Sequence, residues 1–414
     1  VYRKGDGAGS GEPLLGELAS LCRTAGARVV GRVTQTLERF NAATLIGSGK
    51  VDELAGEIAE NGANLVVFDS TLSASQQVNL EKRLHVPVVD RPALILDIFA
   101  IHAKTREARA QVELAQMQYI LPRLAGGWTH LERQEGAIGT RGPGETQLET
   151  DRRLVRKRIA DLKKKLSEIE EERHTQRKGR AAFFNVCLVG YTNAGKSTLF
   201  NRLTGENVVA EDYLFATLDS TTRKVRLPRR NAILLSDTVG FIRNLPVSLV
   251  ASFKSTLLEA SEADLLLHVI DTSDEDYEDR IETVKRTLDE IGCRGIPTIP
   301  VFNKIDRVND PDLYMFLMRQ CPGARFVSAE TGEGTPKLRD DLEAYLEQSR
   351  VTISVTLDAS DFHGYGLLQS LAYIADAATV DSSLLVKARL PDSRLGRLKS
   401  AGIRFEIVKD DSGT

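Results

Sequence analysis

The sequence has little cysteine, no long apolar run and no excess of either charge, and each shortage closes off a class of protein. The four cysteines, Cys22, Cys187, Cys293 and Cys321, are scattered, without the spacing of a zinc site or the density of a disulfide scaffold. They read as reduced, buried thiols, and a cytoplasmic protein is expected. No stretch approaches about 18 consecutive apolar residues, so no membrane span is expected. Residues 1–16 lack a charged head followed by an apolar run, so no secretory signal is expected either. Lys and Arg total 55 against 58 Asp and Glu, a net charge of −3, which argues against a surface given over wholly to nucleic acid.

What is present is a chain too long for one ordinary core: 414 residues, 42% hydrophobic and 27% charged. Four regions separate by pattern. Residues 1–103 contain strand candidates at 29–33, 65–69 and 86–89 that alternate with helical stretches at 50–60 and 73–84, an α/β unit. Residues 104–180 read as two long helices joined by a Gly-rich connection, an αα-hairpin. Residues 181–350 alternate strongly apolar strands with amphipathic helices. Residues 351–414 suggest a small α/β domain, with strands at 351–357, 384–390 and 405–408 and helical patterns between and after them.

The third region carries the chemistry. An apolar strand at 186–189 runs into Gly190-Tyr191-Thr192-Asn193-Ala194-Gly195-Lys196-Ser197, followed by the helical Thr198. This is a phosphate loop between strand and helix: backbone N–H groups and a helix N-terminus surround phosphate, Lys196 neutralises it, and the Ser197 hydroxyl is suited to Mg²⁺. A second strand ends in Asp237-Thr238-Val239-Gly240, where the carboxylate can hold the metal through water and the Gly240 N–H can meet a γ-phosphate. Between them lies Phe215-Ala216-Thr217-Leu218-Asp219, and Thr217 is the expected switch threonine that completes the metal shell; Thr221 and Thr222 compete for that role. Lys196, Thr217 and Gly240 are the expected catalytic group.

Base choice is read from Asn303-Lys304-Ile305-Asp306. The Asp306 carboxylate can accept from guanine N1–H and from the exocyclic amine, whereas adenine would leave it unpaired at a cost of about 1–3 kcal/mol for each lost bond. Ser328-Ala329-Glu330 follows a further strand, and the Ala329 N–H is placed to bond guanine O6. Five elements in this order imply GTP rather than ATP. By contrast, Gly47-Ser48-Gly49-Lys50 lacks the first glycine and is followed by Val51, so it reads as a loop-to-helix turn. Phe241 stands where many GTPases have a water-orienting glutamine, so slow intrinsic hydrolysis is expected until a partner organises the switches. Asn193 suggests K⁺ as an additional cation.

The flanks resemble a known family. The run from Glu135-Gly136-Ala137-Ile138-Gly139-Thr140-Arg141-Gly142-Pro143-Gly144 through Glu145-Thr146-Gln147-Leu148 to Asp151-Arg152-Arg153 is very close to the signature of the HflX GTPases. So are Leu96-Asp97-Ile98-Phe99, Gly127-Trp128-Thr129-His130-Leu131-Glu132-Arg133-Gln134 and the phosphate loop. The likeness covers roughly residues 27–350 and departs at Ser220, where relatives often have proline. It implies a P-loop GTPase that uses Mg²⁺, binds the large ribosomal subunit and its rRNA, and separates stalled or idle ribosomes under stress. A monomer is expected. Twelve basic against six acidic residues between 151 and 180 suit an RNA partner, and Trp128, His130, Arg133 and Arg141 are the expected RNA contacts. A ribosome-assembly or RNA-modification GTPase, or a signalling switch with protein partners alone, remains open on these residues.

Overall fold

A computed structural model describes residues 2–3, 12–124, 143–178, 183–206, 214–215, 220–228, 231–243, 259–308, 310–358, 360–380 and 383–408. The chain forms two compact units. One comprises Val1–Glu168, Tyr213–Leu218 and Asn244–Phe253, and the other Ile169–Asp212, Asp219–Arg243 and Lys254–Thr414.

In the first unit, β1 (Tyr2–Arg3) pairs with β2 (Thr36–Leu37), and α1 (Glu12–Thr24) lies between them in the chain. The helix α2 (Ser48–Asn61), β3 (Val66–Phe68), α3 (Ala74–Leu84) and β4 (Val88–Asp90) then build a small α/β layer, with β3 and β4 parallel. Val51, Phe68, Leu72, Leu80 and Val88 form its core. Ser73 caps α3 in a reciprocal capping box with Gln76, the side-chain device that satisfies two orphan N–H groups. Gly47 is the N-cap of α2, as the loop-to-helix reading of that stretch requires. One expectation is corrected: residues 29–33 form no strand, for Val29, Val30 and Val33 are half-buried or exposed and the stretch finds no ladder partner among the described residues.

The apolar helix α4 (Arg91–His102) buries Ile95, Ile98 and Phe99, and α5 (Arg106–Ile120) begins at the cap Thr105. Asp90 joins these elements. Its Oδ1 accepts from Ala93 N at 3.0 Å and Tyr119 Oη at 2.7 Å, and its Oδ2 from Leu72 N at 3.0 Å and Arg123 Nη2 at 3.1 Å. Burial and the neighbouring Asp90 charge push the Tyr119 hydroxyl pKa up, so it stays a donor. The expected hairpin is present: α6 (Pro143–Lys178) packs Leu162 against Ala110 and Leu114 of α5, and Arg158 grips Glu113 through bonds of 2.6 and 2.9 Å. The connecting residues, with Trp128, His130, Arg133 and Arg141, lie outside the described residues.

The second unit contains a six-stranded sheet: β5 (Phe184–Gly190), β6 (Thr221–Arg226), β7 (Ala232–Asp237), β8 (Leu265–Asp271), β9 (Thr298–Asn303) and β10 (Arg325–Phe326), ordered β10-β9-β8-β5-β7-β6. All pairs are parallel except β6 with β7. β5 and β8 are almost wholly buried, which explains their continuous apolar runs. The helices α7 (Lys196–Thr204), α8 (Tyr277–Glu290), α9 (Pro311–Gln320) and α10 (Thr335–Ser349) connect or follow the strands, and Leu199, Phe200, Leu338 and Leu342 join the sheet core.

The rest of this unit is β11 (Arg350–Asp358), α11 (Phe362–Leu371), β12 (Tyr373–Val380), β13 (Ser383–Pro391), α12 (Leu395–Ser400) and β14 (Phe405–Val408). Its antiparallel order β12-β13-β11-β14 is the split βαβ arrangement. The expected strands at 351–357, 384–390 and 405–408 are found. β12 adds a strand where helical pattern was expected, because this edge strand is exposed on both faces and shows no alternation.

Candidate functional site

In the second unit, the phosphate loop, the Asp237–Gly240 turn, the Asn303–Asp306 run and the Ser328–Glu330 loop all follow the C-terminal ends of β5, β7, β9 and β10. That edge of a parallel sheet is where α/β folds hold ligands.

The loop from Gly190 to Ser197 turns through Asn193 at φ 62° and Gly195 at φ 87°. A Cβ on Gly195 would land on the Asn303 side-chain amide, so both conformation and space require glycine there. Asn193 is exposed, and Tyr191, Thr192 and Ala194 are buried. Lys196 is buried too. Its Nζ donates to Gly190 O at 3.2 Å and Tyr191 O at 2.8 Å, and burial pushes its pKa down to about 8, against the opposing pull of Asp237.

The Ser197 hydroxyl donates to Asp237 Oδ2 at 2.7 Å. Two hard oxygens this close, at a strand end beside the phosphate loop, fit the preference of Mg²⁺ for oxygen ligands. Among the described residues no cluster of three or more His, Cys, Asp or Glu forms a separate metal site. Thr238 Oγ1 donates to Leu188 O at 2.7 Å, and Val239 is buried.

Switch-side backbone is joined directly to the phosphate loop. Thr192 N donates to Phe241 O at 2.8 Å and Phe241 N to Gly190 O at 3.1 Å, a parallel bridge. Gly240 is consequently tight against the loop: an added Cβ would sit 2.7 Å from Thr192 Cα and 3.0 Å from Lys196 Nζ. The Phe241 side chain is buried, and Arg243 N donates to the Tyr191 hydroxyl at 2.9 Å. Phe215 belongs to the first unit, where its ring meets Phe99 edge-on at 4.6 Å. Ala216, Thr217, Leu218 and Asp219 lie outside the described residues.

On the base side, buried Asn303 ties two loops. Its Nδ2 donates to Ala194 O at 2.8 Å, and its Oδ1 accepts from Ala329 N at 2.9 Å. Lys304, at φ 64°, pairs with Asp271 at 2.7 Å, and Ile305 N donates to Val327 O at 3.4 Å. Asp306 is exposed, in the middle of the short 3₁₀ turn Ile305–Arg307. Ser328 Oγ accepts from Thr331 N at 3.0 Å and shapes the loop, while Glu330 is exposed. Asp271 and Thr272, whose hydroxyl donates to Asn303 O at 2.7 Å, also support this corner; no sequence spacing pointed to them.

Three family models match successive stretches: one described as GTP-binding GTPase N-terminal over residues 12–100, one as GTP-binding GTPase Middle Region over 102–180, and one as 50S ribosome-binding GTPase over 185–304. The chain is 56% identical over 292 residues to GTPase HflX of Flavobacterium psychrophilum, covering 70% of each chain. It is 44% identical over 385 residues to GTPase HflX of Escherichia coli strain K12, covering 91% of this chain and 89% of that one. The chain belongs to the GTPase HflX family. Among solved structures, a GTP-binding protein from Sulfolobus solfataricus in complex with GDP is similar at 26% identity and a TM-score of 0.43, over 84% of this chain and 98% of that one. As an HflX protein it is an enzyme that hydrolyses GTP, and Mg²⁺ is the metal that P-loop GTPases use with that nucleotide. No described helix is long and apolar enough to cross a membrane.

Proposed function

We propose that this HflX protein binds the large ribosomal subunit and separates stalled or idle ribosomes, with the bound nucleotide setting its affinity. Support comes from one observation above all: a guanine-nucleotide site shares its chain with a helical hairpin that presents Arg153, Arg156, Lys157, Lys163, Lys164 and Lys165 to solvent on α6. Basic side chains along one exposed arm suit RNA phosphates, a salt-dependent mode of binding. The loop residues Trp128, His130, Arg133 and Arg141 are proposed to stack on or pair with unpaired rRNA.

In the proposed site, Gly190–Ser197 wraps the phosphates, Lys196 neutralises them, and Ser197 with Thr217 and a water on Asp237 holds the metal. Mg²⁺ supplies neutralisation of the phosphate charge when bound. Asp306 reads the guanine N1–H and amine, and Ala329 reads O6. GTP and Mg²⁺ are proposed to order the switches around Thr217 and Gly240, which lies against Thr192 and Lys196, and so to favour the form that docks on the large subunit. That differential binding is sufficient to drive splitting; hydrolysis then resets the factor. A monovalent cation, K⁺, at Asn193 is proposed to add charge neutralisation, and a monomer acting in the cytoplasm is the proposed working form.

Sedimentation of purified 70S ribosomes with the protein tests this reading. With GTP, or with an analogue that cannot be cleaved, 70S particles are expected to fall into subunits, and with GDP to remain joined. No association with the large subunit in any nucleotide state would overturn it, as would splitting that requires cleavage.

A further inference from the structure

Arg202 lies one helical turn beyond the phosphate loop on α7, outside every motif of the site, yet it reaches a loop more than a hundred residues further along the chain. Its Nε donates to Ala329 O at 3.1 Å, and its Nη2 donates to Glu330 O. Gly332, at φ 92°, faces the same guanidinium, and an added Cβ there would stand 3.6 Å from Nη1. One planar side chain therefore holds two successive carbonyls and lies against a third residue of the same loop. A fork of fixed N–H directions is suited to this task, and a lysine ammonium is not.

The consequence falls on Ala329. Its N–H is held by Asn303 Oδ1 at 2.9 Å and its C=O by Arg202, so both sides of the residue are anchored. Loop closure comes from Gly332 N to Ser328 O at 2.8 Å, but that bond leaves the 329–330 peptide unsupported. The guanidinium provides the missing support. With the loop held, the Ala329 N–H can be shared between Asn303 Oδ1 and an acceptor on the base, the three-centre arrangement common for backbone donors.

We infer that Arg202 is a positioning residue for base recognition, holding the Ala329 N–H where it reads the 6-oxo group of a guanine nucleotide. The inference rests on the assignment of Asp306 and Ala329 to the base. Because Arg202 acts on the O6 reader alone, its loss separates two discriminations that global weakening would lower together.

Calorimetry on the full chain with GDP, 6-thio-GDP and IDP makes that separation. In 6-thio-GDP a poor sulfur acceptor replaces O6 while the N1–H and amine remain; IDP keeps O6 and lacks the amine. For Arg202→Ala, GDP affinity is expected to fall about three- to tenfold, the worth of one ordinary hydrogen bond. The preference for GDP over 6-thio-GDP should shrink by that factor, and the preference for GDP over IDP should persist. Arg202→Lys, which retains the charge but not the fork, should behave similarly and serves if the alanine variant does not fold. An unchanged GDP to 6-thio-GDP ratio in the variants, or a wild-type protein that does not distinguish those two, would overturn the role of Arg202. A wild-type protein with no preference for GDP over IDP would instead remove the base-site assignment beneath it.

Discussion

Arg394 and Asp264 face each other through two parallel hydrogen bonds in the interior of the second unit, Nε to Oδ1 at 2.8 Å and Nη2 to Oδ2. The same guanidinium donates to Leu371 O at 3.2 Å and Phe183 O at 2.8 Å, and Asp264 also accepts from Asn185 N at 2.9 Å. Both residues are buried, so neither charge has water to fall back on. Asp264→Ala is expected to cost about 3–5 kcal/mol, mostly from the stranded guanidinium. Replacing both partners by apolar residues should recover part of that loss. Urea unfolding of the two single variants and the double variant checks it; equal or additive losses would contradict the argument.

Asp306, the carboxylate proposed to read the base, gives a prediction with a change of sign. Asp306 is exposed, and among the described residues its side chain makes no hydrogen bond or ion pair, unlike those of Asn303 and Lys304. Asp306→Asn replaces an acceptor with a donor toward the base, so GTP binding should weaken at least tenfold, about 1.4 kcal/mol. Binding of xanthosine triphosphate, which offers a 2-oxo acceptor in place of the amine, should strengthen. Competition binding with the two nucleotides measures both changes, and a variant that still prefers GTP would count against Asp306.

The extent to which the site was legible follows from what each residue does. Gly190–Ser197, Asp237–Gly240 and Asn303–Asp306 each hold their groups within a few consecutive residues, so their spacing alone locates them at the ends of β5, β7 and β9. Asn303 stands first in that base-reading run; it holds Ala194 and also Ala329, a junction visible only once β9 and β10 are adjacent. Arg202 and Asp271 were illegible for the same reason, because each acts on a partner far away in sequence. The fold shows a parallel limit. Buried β5 and β8 announce themselves as apolar runs, whereas exposed β12 has no inward face to pattern. The valines at 29–33 have the strand composition without the ladder, since composition does not supply a neighbour.

His268, in the middle of β8, makes stability depend on acid. It is buried, and desolvation pushes its pKa from 6.5 down to about 3, with Lys285 and Lys196 adding to the shift. A lowered histidine pKa means the unfolded chain binds the proton more readily. Its contribution is therefore intact above about pH 6.5 and is lost as pH falls toward 3, at about 1.4 kcal/mol per pH unit. His268→Leu should flatten the fall in Tm between about pH 6.5 and 5 relative to the wild type. Thermal unfolding across that range decides it, and parallel slopes would mean that His268 does not govern acid sensitivity.

Phe241 yields the prediction that bears most directly on hydrolysis. Its ring is buried and its backbone is bonded on both sides to Gly190 and Thr192, so the position conventionally given to a water-orienting glutamine is packed rather than catalytic. Phe241→Gln is therefore expected not to raise the basal GTPase rate. It should instead lower stability by about 3 kcal/mol, from lost packing and a buried amide without an assured partner. Single-turnover hydrolysis and denaturant unfolding of the same preparation read the two effects separately. A tenfold faster basal rate in a stably folded variant would show that the glutamine reaches the attacking water, and that the phenyl ring is a brake on chemistry rather than a part of the packing.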